Sequence, residues 1–347
     1  MKLTILFGGS SHEHEISIVS AITLKKVLKQ TQLQFVFVDA AREFYAVDPS
    51  DMTAKHFSSG AYKKDKRLTL KKGGFVVEGR FGSKPYASGT VLNLIHGRDG
   101  EDGKIAALFD FFGIPYIGPR LEASALSYSK LTTKFLAASL GIETLPFEVL
   151  HRDDPRTIQT PYPFIVKPTH LGSSIGVSIV HSEAELDYAL DVAFEFDEEV
   201  LIEPFIEGIN EYNLAGCYTD NWELSIIEAP QKEAFLDFEK KYMDFARDAQ
   251  VQAAQIDTEL SEALQNLFQR LYWPLFKGSV IRCDFFVRDG QVYLNEINPI
   301  PGSMAHYLFD DFEGTLERMV AHLPSSQEIA IDYQYIHTIH SAKGKAS

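Results

Sequence analysis

The stretch that most constrains this chain runs from Val280 to Gly302, V-I-R-C-D-F-F-V-R-D-G-Q-V-Y-L-N-E-I-N-P-I-P-G. Two runs of β-branched and aromatic residues flank Asp289-Gly290, the pattern of a β-hairpin. Side chains alternate along a strand, so Arg282 and Asp284 share one face of the first arm, and Glu296 and Asn298 share one face of the second. A two-residue loop would put the two pairs on opposite faces. A three-residue loop, Arg288 to Gly290 with the glycine left-handed, would bring all four onto one. An arginine, two carboxylates and a carboxamide would then converge at the open end of a sheet. Hard oxygen donors of that kind suit Mg²⁺, which keeps waters and takes further ligands from nucleotide phosphates. The plainer alternative is an edge hairpin whose polar face meets solvent.

The N-terminal third reads as α/β. Leu3 to Phe7 is a short apolar strand, Gly8-Gly9-Ser10-Ser11 a tight loop, and a helix should follow through about Lys29. Ser10 and Glu13 stand in the spacing of a capping box. Strand, glycine loop and capped helix open a doubly wound, Rossmann-like unit with a binding edge at the loop. Glu13 is an anion at that edge, placed to receive an ammonium group. His12 and His14, two residues apart at a helix start, do not share a face, so the run H-E-H-E is not read as a zinc site. Residues 33–39 make a second strand, and the order of the short strands and turns from 42 to 90 is left open. Val91 to Ile95 is a third buried strand, running into H-G-R-D-G-E-D-G-K. This is not a Walker A loop, because five residues separate Gly97 from Gly103 and Ile105 stands where Ser or Thr is required. A loop and a helix through Phe112 are expected instead.

Beyond Pro119 the pattern predicts helices at 122–140 and strands near 146–150, at 164–167 and at 200–203. The loop T-H-L-G-S-S-I-G-V after Lys167-Pro168 is rich enough in glycine and serine to fold over phosphates, or to be an ordinary hairpin loop. Glu203 and Glu211 flank the bend at Pro204-Phe205-Ile206, where they could receive adenine and ribose donors. Residues 231–250 carry many charges and no period, and a stretch of that length is expected to be a lid. An amphipathic helix over 257–273 places Leu260, Leu264, Leu267, Phe268 and Leu271 on one face. A helical segment is expected near 306–322, and a disordered tail from Ser341.

Length and composition set the frame. At 347 residues, 45% hydrophobic and 23% charged, the chain can bury cores in two or three domains. A net charge of −15 without a basic stripe argues against nucleic acid, and the lysines at 63, 64, 66, 71 and 72 read as a solvated loop or strand edge. Cys217 and Cys283 lie in apolar runs and read as buried thiols of a reducing compartment. There is no signal peptide pattern and no run of about 18 apolar residues, so a soluble cytoplasmic protein with no membrane span is expected.

In their order, several motifs resemble those of the D-alanine–D-alanine ligases, members of the ATP-grasp superfamily. They are Gly8 to Glu15, His96 to Gly103, Ala123-Ser124-Ala125, Val166-Lys167-Pro168, Gly172 to Gly176, and Asn295 to Gly302. The resemblance implies three α/β domains, 1–118, 119–206 and 207–347, with ATP between the second and third. It implies that Lys130 and Lys167 hold phosphates and that Glu203, Phe205, Ile206 and Glu211 frame adenosine, with Lys241 also on the nucleotide. Asp284, Glu296 and Asn298 would bind two Mg²⁺, with Mn²⁺ as a substitute. ATP would phosphorylate one D-alanine, and the amine of a second would attack the acyl phosphate, with Arg282 and the Gly302 N–H steadying the charge. Glu13 would take the first ammonium and, with Ser173 and Tyr242, tie the lid shut. A homodimer is expected. Ser129, Pro299 and Tyr307 depart from the family's usual aspartate, threonine and serine. A D-alanine–D-lactate ligase and another ATP-grasp carboxylate–amine ligase are the alternatives, and Tyr242 resembles the dipeptide-forming branch. A non-catalytic nucleotide-binding module should have lost a metal carboxylate or Arg282, and neither is lost.

Overall fold

The computed structural model describes residues 1–87, 89–230, 251–273, 275–325 and 329–343. The opening β-α-β unit is β1 (Lys2–Gly8), α1 (His14–Val27) and β2 (Gln32–Val38), with β1 and β2 parallel. The region whose order the sequence leaves open becomes β3 (Phe44–Val47), a short α2 (Ala54–Ser58), and strands β4 (Lys66–Lys71), β5 (Gly74–Gly79) and β6 (Gly82–Ala87). These strands extend the sheet antiparallel beyond β2. β7 (Thr90–Asn93) pairs with the other side of β1, α3 (Lys104–Phe112) follows the expected loop, and β8 (Tyr116–Ile117) forms the far edge. The order is β6-β5-β4-β3-β2-β1-β7-β8. Lys66 and Lys71 therefore sit on an interior strand rather than a strand edge; their side chains are exposed while Leu68 between them is buried.

The helices expected over 122–140 are α4 (Leu121–Tyr128) and α5 (Lys130–Ser139). The break is at Ser129, which is extended (φ −91°, ψ 125°) and whose Oγ accepts from the Thr132 N–H at 3.3 Å. Serine competes for backbone donors in this way and so ends one helix and caps the next. The cap sets Lys130 at the first position of α5, facing the cleft described below.

A second, antiparallel sheet contains β9 (Glu148–His151), β10 (Phe164–Pro168), β11 (Ser178–Val180) and, after α6 (Glu183–Phe194), β12 (Glu199–Pro204), in the order β11-β10-β12-β9. Its core is its own: Phe164, Val166, Leu190, Val200 and Ile202 pack there. The third sheet has the order β14-β13-β15-β16, from β13 (Asn210–Tyr218), β14 (Trp222–Glu228), β15 (Ile281–Arg288) and β16 (Gln291–Asn298). Between β14 and β15 lies α7 (Thr258–Tyr272), capped by Asp257 Oδ1 on the Leu260 N–H at 2.8 Å, with Leu264, Phe268 and Leu271 buried as its period predicts. The segment expected as helix near 306–322 is a tight turn, Gly302–Leu308, and then α8 (Phe312–Ala321). A last helix, α9 (Gln334–Lys343), reaches past Ser341, where the sequence suggests disorder.

The first and third sheets are joined. α1 packs on the Gly302–Leu308 turn, Ser20 Oγ accepts from the Ser303 N–H at 3.0 Å, and Glu313 Oε1 accepts from the Gln30 N–H and from Thr31 Oγ1. One apolar cluster runs through both, from Leu3 and Phe35 to Phe285, Leu316 and Met319.

Candidate active site

The hairpin geometry differs from the expected one, and the difference is informative. Arg288 pairs with Gln291 across a two-residue loop, Asp289 (φ 52°) and Gly290 (φ 79°), not a three-residue one. Both loop residues are left-handed, as the tight turn of a twisted hairpin demands. By alternation alone this loop would separate the two polar pairs. A β-bulge corrects it: Phe285 faces Leu294, but Asp284 faces Glu296 and Arg282 faces Asn298, so Asn295 is the extra residue. All four side chains thus share one face. Arg282 Nε and Nη2 donate to the two oxygens of Asp284 at 2.7 and 2.8 Å, and Asn298 Nδ2 donates to Oδ2 at 3.0 Å. Burial pushes the Asp284 carboxyl upward and Glu296 adds to the push, while Arg282 opposes both.

The opposite wall is cationic. Lys130 Nζ donates to the Leu171 carbonyl at the start of the glycine-serine loop, and burial pulls its ammonium downward. Lys167 Nζ, on β10, donates to Glu203 Oε2 at 2.5 Å and to the bulge residue Asn295 at 3.4 Å. Glu203 is buried, and its other oxygen meets Lys134 Nζ at 2.5 Å. Burial works against its charge, but Lys167 and Lys134 outweigh it and hold the carboxyl low. Sequence reasoning does not find Lys134; the available signal is its place one helical turn after Lys130. At the bend, the Phe205 N–H donates to the Pro163 carbonyl and Ile206 O accepts from the Ile209 N–H. Glu211 lies on β13 opposite Phe286. Lys241 and Tyr242, with the expected lid at 231–250, lie outside the described residues.

Between the walls sits Glu13. The capping box does not form: Glu13 itself is the N-cap of α1 without a side-chain bond, and the Ser10 N–H donates to Asp99 Oδ2 at 3.3 Å. This frees the Glu13 carboxylate for the cleft, where Oε1 accepts from Ser173 Oγ at 2.7 Å. Gly97 and Gly172 close around it; a Cβ would stand 2.6 Å and 2.8 Å from its oxygens, so a side chain at either position would displace the Glu13 carboxylate. Burial, then Glu101, push Glu13 upward. Glu101 and His96 belong to a motif to which sequence reasoning gives no individual roles. Burial pushes Glu101 up to about 8 and His96 down to about 4. Each favours its neutral form, so their 3.6 Å approach is a neutral pair rather than an ion pair. Gly302 opens a turn whose next three residues, Ser303, Met304 and Ala305, are left-handed (φ 47°, 57° and 50°). Three such residues in sequence are costly and are held by the surrounding packing, a feature that clusters at functional sites.

The cleft is lined by Glu101, Tyr128, Lys130, Gly172, Glu296 and Asn298, so all three sheets contribute to it. Among the described residues no three His, Cys, Asp or Glu side chains form a closed metal cage. The hairpin offers two carboxylates and a carboxamide instead, an oxygen-only and incomplete set. That donor chemistry fits Mg²⁺ shared with phosphate oxygens.

Known proteins resemble this one throughout. Residues 2–119 match the family model described as D-ala D-ala ligase N-terminus, and residues 136–313 match D-ala D-ala ligase C-terminus. A D-alanine–D-alanine ligase of a Sulfurovum species is 64% identical over 346 residues, covering 100% of both chains. One of Campylobacter concisus is 56% identical, covering 99% of each. The crystal structure of the Helicobacter pylori D-alanine–D-alanine ligase is 47% identical with a TM-score of 0.85, covering 94% of this chain and 100% of its own. With an α/β fold of three sheets meeting at one cleft, this chain belongs to the D-alanine–D-alanine ligase family of ATP-grasp enzymes.

Proposed function

We infer that this protein joins two D-alanines into D-alanyl-D-alanine at the expense of ATP, as a step in making peptidoglycan precursors in the cytoplasm. The observation that carries the reading is how three groups connect around one cleft: Lys130 and the hairpin's Glu296 and Asn298 line it, Lys167 reaches Asn295 in its wall, and the Glu13–Ser173 pair lies against Gly172. The two lysines hold the ATP phosphates, with adenosine framed by Glu203, Phe205, Ile206 and Glu211. Asp284, Glu296 and Asn298 would hold two Mg²⁺, which neutralise phosphate charge during transfer.

Glu13 receives the ammonium of the first D-alanine. Burial raises its pKa, and an arriving cation restores its charge, so the site takes an amino acid in preference to a plain acid. The carboxylate of that D-alanine takes the γ-phosphoryl group, giving an acyl phosphate and ADP. The amine of the second D-alanine attacks the acyl carbon, and inorganic phosphate leaves. Arg282 and the Gly302 N–H steady the negative charge of both steps, which rest on positioning and electrostatics. Asp284 keeps the Arg282 guanidinium aimed through two hydrogen bonds. Ser173 ties the glycine-serine loop to Glu13, and Tyr242 completes the latch that keeps water from the acyl phosphate.

The test is ADP release measured with D-alanine, L-alanine and D-lactate side by side. D-Alanine alone should support full turnover and yield dipeptide. Equal release with L-alanine, or a product made only when D-lactate is present, would overturn the reading.

A further inference from the structure

Lys134 has no part in the chemistry above, yet its side chain is only 2% exposed. From α5 it donates to Glu203 Oε1 at 2.5 Å and to the Leu145 carbonyl at 3.3 Å, and its ammonium lies 5.0 Å from the centre of the Phe147 ring. Glu203 Oε2 accepts from Lys167 at the same time. One buried carboxylate is therefore divided between two ammonium groups that repel each other. The two cations are not equivalent. Lys134 is enclosed, and Glu203 is the one carboxylate it meets among the described residues. Lys167 is 13% exposed, stands at the cleft and reaches Asn295 on the hairpin as well.

We propose that Lys134 is a positioning residue for Lys167: by sharing Glu203, it loosens that carboxylate's hold and lets the Lys167 ammonium turn to the ATP phosphates. The inference rests on the reading that Lys167 meets phosphate. When Lys167 turns away, buried Glu203 loses one of its two cations, and with no second one its charge would be strongly unfavourable. Lys134 keeps it paired. Without Lys134 the whole charge of Glu203 falls on Lys167, and ATP must compete with an undivided ion pair. Asn295 links the same lysine to the hairpin that carries Glu296 and Asn298.

The experiment is calorimetric titration of the full chain with the non-hydrolysable analogue AMP-PNP and Mg²⁺. Wild type is compared with Lys134→Met, Lys134→Arg, Lys167→Met, Glu203→Gln and the double variant Lys134→Met/Glu203→Gln. Lys134→Met should weaken nucleotide binding about tenfold or more while KM for D-alanine stays unchanged, and Lys134→Arg should keep most of the affinity. In the Glu203→Gln background the Lys134→Met change should cost nothing, since the carboxylate to be shared is gone. An equal loss in both backgrounds would assign Lys134 to packing and overturn the proposal, as would wild-type affinity in Lys134→Met. Lys167→Met reports separately on the reading beneath it: if that variant binds the analogue normally, Lys167 does not hold phosphate. Should Lys134→Met fail to fold by circular dichroism, Lys134→Gln carries the same comparison.

Discussion

Glu296 and Asp284 face each other across the hairpin, and Asp284 accepts two hydrogen bonds from Arg282. Glu296→Gln keeps shape and loses charge at the nucleotide's metals. It should lower ADP release at least about a hundredfold with circular dichroism unchanged. A variant that keeps most of its ADP release at ordinary Mg²⁺ levels would remove Glu296 from the metal site. His96 makes a different prediction, one about stability. Folded His96 titrates near 4 where the free side chain titrates near 6.5. Between those values the unfolded chain holds a proton that the folded chain refuses. Stability therefore rises with pH across that window and falls on acidification, by on the order of 3 kcal/mol at most. Urea unfolding at pH 7 and pH 4.5 should show this loss in the wild type and a smaller one in His96→Gln. Equal losses would mean that His96 is not the group responsible. Glu101 acts in the opposite sense: with its carboxyl at about 8, the fold holds a proton that the unfolded chain gives up near 4.5, so stability falls as pH rises between them.

Among the elements, the metal hairpin and the break before α5 separate positions that merely shape the backbone from those the site depends on. Gly290 is left-handed, and a Cβ placed there would meet nothing within 4 Å, so Gly290→Ala should cost about 1 kcal/mol in urea unfolding and leave KM untouched. A Cβ at Gly100 would stand 1.8 Å from the Ile95 carbonyl oxygen, so Gly100→Ala must displace the loop that carries His96 and Glu101. That variant should lose activity as well as stability; normal turnover would show that the loop does not build the site. Ser129 is the N-cap of α5, a position that serine and aspartate both fill well. Ser129→Asp should unfold at the same urea concentration, within a few tenths of a kcal/mol, and Ser129→Ala should lose about 1 kcal/mol. These same elements show what the sequence could and could not convey. Periodicity revealed α7, and the glycine punctuation revealed β1 and its loop. Residue types alone marked Arg282, Asp284, Glu296 and Asn298 as a set. The bulge at Asn295 was invisible, because one unpaired residue in a ladder leaves no mark on composition. The pairing of Lys134 with Glu203 was equally hidden, since it joins residues 69 positions apart through a fold that only the complete sheet creates.

Across the whole molecule, the middle sheet packs only on a core of its own, whereas the first sheet has one separate core and shares another with the third. Hydrogen exchange under native conditions should therefore divide the chain in two, with amides of β10 and β12 opening together at a lower free energy than those of β1, β13 and β15. A single common opening energy for all three sheets would contradict this. The shared core also bears on how the chain is made. Leu3 and Phe35 leave the ribosome well before Leu316 and Met319, which lie in the same cluster. Domains commonly fold in order of synthesis. Here the first sheet can pair its strands early, but the α1 face that meets the Gly302–Leu308 turn stays uncovered until that turn has been translated. A nascent chain stalled before residue 302 would present that face to chaperones, and a stop codon there would leave an N-terminal fragment that aggregates rather than a smaller working protein.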